Sequence, residues 1–394
     1  SNILSRLFYS LIRVGMERSN GIKIFIAGDF CVYHPERMSL GHELKKIINL
    51  SDIRVVNFEG PLQVGEKHTA GEFYLRQSHL SPEWLLNNGF NVIGLANNHA
   101  FDFGEEGLKA TKKAFEGVLA IGCGKWNEAY GVKYLKVKNK TIGFFSASSA
   151  DLATLKDRWT DDGKYGCAWI NHISVSSIIS EAKGTCDYLI VLPHAGVEYM
   201  DVPLPEWRDI YKSLIDAGAD AVMASHPHVP QGFEMYAGKP IFYSLGNFAF
   251  EKDDRCALLH WYNSVAVLIE ITEKDVQVQP ILTYLNEDHV VEVDARVESI
   301  RHFRHLCNIL TDDSDYMKEV NRFVLSLYSK YEKWLLSGYG AVGMYPKSLR
   351  QMCRIFVGFL KLKVNRRLFL HQLREESTRW LMIRANKLLS KTEL

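Results

Sequence analysis

The sequence predicts an α/β fold, because short runs rich in β-branched and aromatic residues alternate with segments of helical period. Residues 22–30 form one such run, which is typical of a buried strand. The segment 104–117 is rich in lysine and alanine, which favours a helix. Ser81 with Pro82 predicts an N-cap followed by the first residue of another helix. Strand signals stop at about residue 295, after which the pattern is helical.

Composition limits the range of functions. Apolar residues make up 47% and charged residues 24%, which is typical of a soluble globular protein with a large core. A net charge of +1 predicts no general polyanion binding, and without a groove-reading motif we expect no nucleic-acid partner. The seven cysteines show no paired spacing, which favours reduced thiols over a disulfide framework.

We expect a cytoplasmic location. No run approaches the roughly 20 apolar residues that a membrane-spanning helix needs. Charges interrupt the first residues too often for a signal peptide. The chain begins with Ser1, so a removed leader or an N-terminal anchor stays open as an alternative.

Three regions are predicted: an N-terminal amphipathic helix at 1–21, a main domain at 22–290 and a helical C-terminal extension at 291–394. The extension is basic and includes the charged run 361–367. A solvated helix face is the favoured interpretation of this charge. Peripheral contact with an anionic membrane surface is the alternative.

Residues of metal-ligand type follow the predicted strands at the point where each strand ends. These are Asp29, Glu59, Asn98 with His99, His194, and the pair His226 and His228. Open α/β sheets bind ligands beyond the carboxyl ends of their strands, so we expect these side chains to share one site. Taken singly, each could equally be an ordinary turn or loop residue.

His226 and His228 are separated by one residue, which in an extended strand would put their side chains on opposite faces. Pro227 and Pro230 favour a turn, and a turn lets both imidazoles reach one site. Neutral imidazole is the commonest protein ligand for divalent metals, so the pair is a candidate half-site. A loop with two surface histidines is the alternative.

Six motifs stand in order between about residues 22 and 285. They are Gly28-Asp29; Asn57 to Leu62; Ala96 to His99 with Asp102 and Gly104; His194 to Gly196 with Glu198 and Tyr199; Ser225 to His228 with Gln231 and Glu234; and Tyr243 to Phe248. Together they resemble the CapA family of poly-gamma-glutamate capsule-biosynthesis proteins, which is related to calcineurin-like metallophosphoesterases. The resemblance implies a metallophosphoesterase-like β-sandwich flanked by helices, with the C-terminal extension outside it.

The resemblance also implies a divalent-metal site for manganese, zinc or iron. By motif position its ligands are Asp29, Glu59, Asn98, His194, His226 and His228. His99 would donate a proton to the leaving group, and Asp102 would orient His99 unless it caps the following helix. Further motif residues are expected to line or brace the cleft: Asn57, Asn97, Glu198, Glu234, Ser244 and Asn247.

Two positions depart from the phosphoesterase pattern. The histidine expected two residues after the first aspartate is Cys31 in this chain, which removes a ligand from one metal position. Glu59 in place of the usual aspartate changes the bridge between the ions. We therefore expect one well-formed metal site and a weak or absent second site.

Three functions stay open at this point. The first is a metal-dependent hydrolase that uses metal-activated water on a phosphoester or a capsule-polymer intermediate. The second is a non-catalytic scaffold subunit in a capsule-synthesis or export complex. The third is a metal-dependent amidase that cleaves gamma-glutamyl bonds. No nucleotide-binding glycine loop is visible, so this chain alone is not expected to ligate glutamates.

Overall fold

Two β-sheets packed face to face form the centre of the protein. The computed structural model describes residues 20–65, 74–151, 153–159, 161–251, 260–337 and 374–390. Helices cover the outer face of each sheet. The predicted class is confirmed: an α/β fold built as a β-sandwich flanked by helices.

The first sheet joins strands from both ends of the main domain. Its strands are β1 (Ile22–Cys31), β2 (Ser39–Leu40), β3 (Ile53–Phe58), β4 (Val92–Gly94), β5 (Leu119–Ile121), β15 (Asn247–Phe250), β16 (Asn263–Ile271), β17 (Val276–Leu285) and β18 (Val290–Val293). They lie in the order β2-β18-β17-β16-β1-β3-β4-β5, and β15 pairs with the end of β1. Strands β1, β3, β4 and β5 run parallel, whereas β16, β17 and β18 form an antiparallel meander.

The second sheet has a parallel centre. Its strands are β7 (Lys133–Val137), β8 (Lys140–Ser148), β11 (Tyr188–His194), β12 (Ala221–Met223), β13 (Phe233–Tyr236) and β14 (Lys239–Phe242), in the order β13-β14-β12-β11-β8-β7. A small third sheet contains β6 (Cys123–Gly124), β9 (Thr154–Leu155) and β10 (Gly166–Ala168). Strands β8, β11, β12 and β14 are parallel, so their carboxyl ends meet at one edge.

Helices lie in the connections and on the outside of the sandwich. They are α1 (His42–Leu50), α2 (Ser81–Asn87), α3 (Gly104–Ala114), α4 (Trp126–Ala129), α5 (Val175–Lys183), α6 (Pro205–Asp216), α7 (Val297–Ile309), α8 (Asp313–Ser337) and α9 (Glu376–Ser390), with a short 3-10 helix at Pro35–Arg37. Helices α1, α2 and α3 pack on the first sheet. Helices α5, α6, α8 and α9 pack on the second.

Side-chain alternation along β1 explains how the first sheet is buried on both faces. Ile24 and Ile26 point into the core between the sheets, whereas Phe25 and Ala27 pack under the helices. Successive side chains of a strand point to opposite faces, and every residue of β1 is buried. The predicted buried strand at 22–30 is therefore confirmed.

Strand register brings polar residues together at one edge of the sandwich. Asp29 of β1 pairs with Asn57 of β3 and with Asn247 of β15. In the second sheet, His194 at the end of β11 pairs with Ser225 just beyond β12. The carboxyl ends of parallel strands from both sheets thus supply the residues that sequence analysis selected.

Ser81 is not the N-cap that the sequence predicts. Helix α2 begins at Ser81 itself, Leu80 occupies the cap position and Pro82 is the second helical residue. Ser81 is buried, and its hydroxyl donates a hydrogen bond to the carbonyl of Val32 at 2.9 Å. The tertiary contact outweighs the local preference for capping.

The bounds of the three predicted regions can be compared with the elements and residues that the structure describes. Strand β18 spans Val290–Val293 and pairs with β17, so it crosses the expected boundary between residues 290 and 291. Residues 1–19 of the predicted N-terminal helix and the basic run 361–367 lie outside the described residues. Among the helices that the structure describes, none combines the length and apolar character needed to cross a membrane.

Helix α9 is attached to the main domain through a buried carboxylate. Glu376 accepts a hydrogen bond from the backbone amide of Ala150 at 2.7 Å. The same carboxylate accepts bonds from Nε1 of Trp169 at 2.6 Å and Nδ2 of Asn171 at 3.0 Å. Leu381, one turn further along, is fully buried in the core of the second sheet. The C-terminal helix is therefore an integral part of this core.

We predict that Glu376→Ala lowers the free energy of unfolding by about 2–3 kcal/mol, because it leaves buried donors without an acceptor. Urea denaturation followed by circular dichroism measures the change. Lys387→Ala, at an exposed position on the same helix, is the matched control and should stay within about 0.5 kcal/mol of the wild type. Equal stability of the two variants would contradict the assigned role of Glu376.

Candidate functional site

Two carboxylates lie at the centre of the site and are shielded from water. The side chains of Asp29, near the end of β1, and Glu59, directly after β3, are both 0% exposed. Burial raises the pKa of Asp29 to about 7, although Asn57 Nδ2 and the backbone amide of His226 donate hydrogen bonds to it at 2.7 and 3.1 Å. Burial and the nearby charge of Asp29 raise the pKa of Glu59 well above its usual value.

Two histidines contact both carboxylates. His194 Nδ1 lies 3.6 Å from Asp29 Oδ1, and its Nε2 lies 3.7 Å from Glu59 Oε1. His228 Nδ1 lies 3.9 Å from Asp29 Oδ2, and its Nε2 lies 3.7 Å from Glu59 Oε1. Burial lowers the pKa of His228 to about 3, that of His226 to about 4 and that of His194 well below its usual value. All three imidazoles are therefore neutral near pH 7, the form that binds metals.

The backbone turns at the two-histidine segment, as predicted. His226 has a φ of 104° and His228 a φ of 61°, both in the left-handed region that residues with a Cβ rarely adopt. The His226 ring lies 4.9 Å from the His194 ring and 6.2 Å from the His228 ring, measured between centroids. Left-handed non-glycine residues are strained and concentrate at functional sites. The turn brings both imidazoles into one cluster.

Two asparagines hold the ring of His194. Asn98 Oδ1 lies 2.8 Å from Nε2 of His194, and Asn57 Nδ2 lies 3.1 Å from its Nδ1. Since Asn57 also donates to Asp29, one amide links the carboxylate to the imidazole across the two sheets. These contacts fix the plane of a ring whose side chain is only 2% exposed.

His99 and Asp102 form a separate pair at the more open side of the site. His99 Nδ1 lies 2.7 Å from Asp102 Oδ2, and the side chain of His99 is 18% exposed. Burial alone would lower the pKa of His99, but the Asp102 carboxylate outweighs it and raises the pKa. Helix α3 begins at Gly104 with Phe103 at its cap position and no side-chain cap. Asp102 thus contacts His99, as one of its two predicted roles requires, and does not cap the helix.

The donor set fits a divalent cation. Both carboxylate oxygens of Glu59 and Nδ1 of His226 are buried and have no hydrogen-bond partner among the described residues. Ligand atoms of Asp29, Glu59 and His228 lie within 4.8 Å of one another. Buried carboxylates need a compensating charge, and oxygen with imidazole ligands suits manganese, zinc or iron. The number and identity of the ions stay predictions.

Cys31 is not among the described residues whose ligand atoms group together at this cluster. Its side chain is fully buried, and Sγ lies 3.8 Å from the carbonyl oxygen of Arg76. Burial raises the pKa of the thiol well above its usual value, which disfavours the thiolate that metals bind. Cys31 stands where the phosphoesterase pattern has a histidine. Within β1, as the structure describes it, Asp29 is therefore the residue that offers a metal ligand.

Three further predicted residues brace the site. Asn247 Oδ1 lies 3.0 Å from His228 Nδ1 and orients that ring. Asn97 Nδ2 donates to the carbonyl of Phe58 at 2.9 Å, which fixes the loop that carries Glu59. The hydroxyl of Ser244 accepts from a backbone amide two residues later at 3.2 Å and stabilises the adjacent turn.

The structure does not bring Glu234 to the cluster. Its carboxylate accepts two hydrogen bonds of 2.9 Å from Arg208 and another from the hydroxyl of Tyr243. This bidentate pair ties β13 to α6 and accounts for the charge of Glu234. Its motif position predicts that Glu234 lines or braces the cleft, whereas the contacts that the structure describes hold it between β13, α6 and Tyr243. Glu198 lies at the rim, with 32% of its side chain exposed.

Three aromatic rings form a wall beside His228, and of these sequence analysis singled out Tyr199 but not Phe250 or Trp261. The ring centroids of Trp261, Phe250 and Tyr199 lie 4.9, 5.0 and 6.2 Å from the His228 ring. Asn247 Nδ2 donates to the Trp261 carbonyl at 3.0 Å, which links the wall to the residue that orients His228. Trp261 had no motif signal, because its place depends on contacts between distant parts of the chain. The wall shields this side of the cluster from water.

The two-sheet sandwich with helices outside it, and with carboxylates, histidines and an asparagine gathered at the strand ends, is a metallophosphoesterase-like fold. The family described as "Bacterial capsule synthesis protein PGA_cap" matches residues 23–252. The chain belongs to this family, which confirms the resemblance seen in its motifs.

Two curated relatives from Bacillus share this region. The chain is 33% identical over 223 residues to the PGA biosynthesis protein CapA of Bacillus subtilis (strain 168), covering 54% of this chain and 57% of the relative. It is 30% identical over 263 residues to the capsule biosynthesis protein CapA of Bacillus anthracis, covering 61% of this chain and 62% of the relative. The matches therefore span less than two thirds of either relative.

Solved structures give more distant matches. A novel phosphatase from Mycoplasma pneumoniae is 15% identical with a TM-score of 0.40, over 71% of this chain and 97% of that one. A putative 5'-nucleotidase from Staphylococcus aureus is 15% identical with a TM-score of 0.43, over 73% of this chain and 58% of that one. These likenesses are too distant to carry an argument about activity.

We predict that Glu59→Gln raises the free energy of unfolding of the metal-free protein by about 1–2 kcal/mol at pH 8, because it removes an uncompensated buried carboxylate. The raised pKa of Glu59 means that the folded state binds a proton more tightly than the unfolded state. Wild-type stability therefore falls as pH rises, and the advantage of the variant grows between about pH 5 and pH 8.

Urea denaturation in the presence of a chelator measures this difference. Glu116→Gln, at an exposed glutamate, is the control and should stay within about 0.5 kcal/mol of the wild type at pH 8. A Glu59→Gln variant that is less stable than wild type at every pH would show that the carboxylate is compensated.

Proposed function

We propose that the protein is a metal-dependent hydrolase in the synthesis of a capsule polymer, acting on a phosphoester or on an intermediate of the polymer. The observation that carries the proposal is the fully buried carboxylate of Glu59. Its two oxygens have no hydrogen-bond partner among the described residues, and Oε1 faces two neutral imidazoles, those of His194 and His228. Such an arrangement is unfavourable unless a cation binds there.

The candidate donors surround the two carboxylates. Asp29, Glu59 and His228 would hold a cation, since their ligand atoms lie within 4.8 Å of one another. His194, which lies 3.6 Å from Asp29 and 3.7 Å from Glu59, would complete the donor set together with Asn98 and His226. A bound divalent ion supplies a nucleophilic water near neutral pH and stabilises negative charge in the transition state.

His99 is the proposed proton donor. The raised pKa of its imidazole favours the protonated form near neutrality, and Asp102 holds the ring through Nδ1. Nε2 would then carry the proton that passes to the leaving-group oxygen. Asp102 is itself fixed, because its Oδ2 accepts a hydrogen bond from the backbone amide of Leu75 at 2.7 Å. His99 is the catalytic residue in this scheme, and Asp102 is a positioning residue.

The role in capsule synthesis rests on family membership and on the names of the relatives. Two Mycobacterium tuberculosis relatives, 27% identical over 168 residues, are named probable polyglutamine synthesis accessory proteins. We propose an accessory step on a polymer or its precursor rather than the joining of monomers. A capsule-synthesis complex is the proposed partner.

We predict that His99→Ala lowers kcat for phenyl phosphate by about 100-fold or more, because the leaving phenolate then receives no proton. The loss should be much smaller for 4-nitrophenyl phosphate, whose leaving group needs no protonation. Steady-state kinetics with added manganese, zinc or iron measures both losses. His34→Ala, at a histidine whose side chain is 55% exposed, is the control.

The outcomes separate the candidate functions. Equal losses on the two phosphates would contradict the proton-donor role of His99. Hydrolysis of a gamma-glutamyl anilide without hydrolysis of either phosphate would favour the amidase. No turnover of any of these compounds by the metal-loaded wild type would favour the scaffold.

A further inference from the structure

A cation from the C-terminal helices lies at the rim of the site. Lys330 belongs to α8, which is outside the region matched by the family. Its Nζ lies 4.2 Å from the centroid of the Tyr199 ring and 3.8 Å from Glu198 Oε2. The Tyr199 ring lies 6.2 Å from the His228 ring. The ring of Tyr199 therefore lies between the ammonium group of Lys330 and the candidate metal cluster.

Helix α8 is held in this place by contacts along its length. The Tyr316 hydroxyl donates to the carbonyl of Pro203 at 2.9 Å, and the guanidinium of Arg208 lies 4.7 Å from the Tyr316 ring. Val320 and Val324 are fully buried in the core of the second sheet. Lys330 follows Val324 on the same helix, so its backbone is fixed relative to the site.

The loop that Lys330 contacts is fixed to the two-histidine turn. The backbone amide of Tyr199 donates to the carbonyl of Pro227 at 2.9 Å, and Tyr199 has a φ of 65°. Glu198 directly precedes Tyr199, so the ion pair and the ring contact of Lys330 are both made to this loop. The rim is therefore fixed beside the two-histidine turn.

Lys330 is open to a ligand. Its side chain is 52% exposed, and 3.8 Å from Glu198 is longer than an N–H···O hydrogen bond. An ion pair of this length and exposure is weak and exchanges partners readily. The cation–π contact with Tyr199 holds the ammonium over the rim while leaving donors for an oxyanion.

We propose that Lys330 binds an anionic group of the substrate at the rim, so that preferred substrates carry a second oxyanion, carboxylate or phosphate, beyond the reacting group. The proposal rests on the proposed function, since it assigns the substrate class of that site. It makes the C-terminal extension a specificity element of the site, and Lys330 a specificity-determining residue.

The test compares three aryl phosphates: phenyl phosphate, 4-carboxyphenyl phosphate and 1,4-phenylene bisphosphate. The readout is the preference, defined as kcat/KM for a substrate with a second anion divided by kcat/KM for phenyl phosphate. Lys330→Met removes the charge and keeps the length of the side chain. We expect it to lower the preference about three- to tenfold, and Lys330→Arg to retain it. Lys318→Met, on the same helix with a side chain 71% exposed, is the matched control.

Loss of preference for the carboxylate substrate identifies a carboxylate as the ligand, and loss for the bisphosphate identifies a phosphate; either result supports the proposal. Unchanged preference for both in Lys330→Met overturns it. If the wild type hydrolyses none of the three, the proposed function fails, and calorimetric binding of 1,4-phenylene bisphosphate decides. Weaker binding by Lys330→Met than by wild type and Lys318→Met supports the proposal, whereas equal binding, or none by the wild type, overturns it.

Discussion

Two buried carboxylates set the constraint on which the site depends. Asp29 and Glu59 are held out of water side by side, and burial raises the pKa of each. The imidazoles that face them have lowered pKa values and bring no positive charge near neutral pH. The folded chain therefore holds two carboxylates at one edge of the sandwich whose ionised forms are destabilised by burial and by their closeness. A bound cation would convert the same arrangement into a favourable one.

The sandwich provides the rigidity that such a site needs. Asp29 lies in β1, every residue of which is buried, and Glu59 directly follows β3. The asparagine Asn57 links Asp29 in the first sheet to His194 in the second. The C-terminal helices complete the second sheet from outside, where Glu376 and Leu381 are buried. The part of the chain beyond the family match is thus continuous with the core that supports the site.

Local sequence signals predicted the strands and the ligand-type residues, because apolar period and strand-end position are local properties. The turn at His226 and His228 was also predictable, since two prolines favour it. Long-range contacts were not predictable: the pairing of Glu234 with Arg208 and the place of Trp261 depend on how separate elements meet. Hydrogen bonding of Ser81 to a distant carbonyl overrode its capping signal for the same reason.

The most direct test of the account is the metal content of protein purified without chelators, measured by mass spectrometry beside the His226→Ala/His228→Ala double variant. The account predicts roughly one divalent ion per wild-type chain and a large loss in the variant, because the variant lacks two imidazole ligands. Absence of metal from the wild type after incubation with manganese, zinc and iron would contradict it, as would equal metal content in the two proteins.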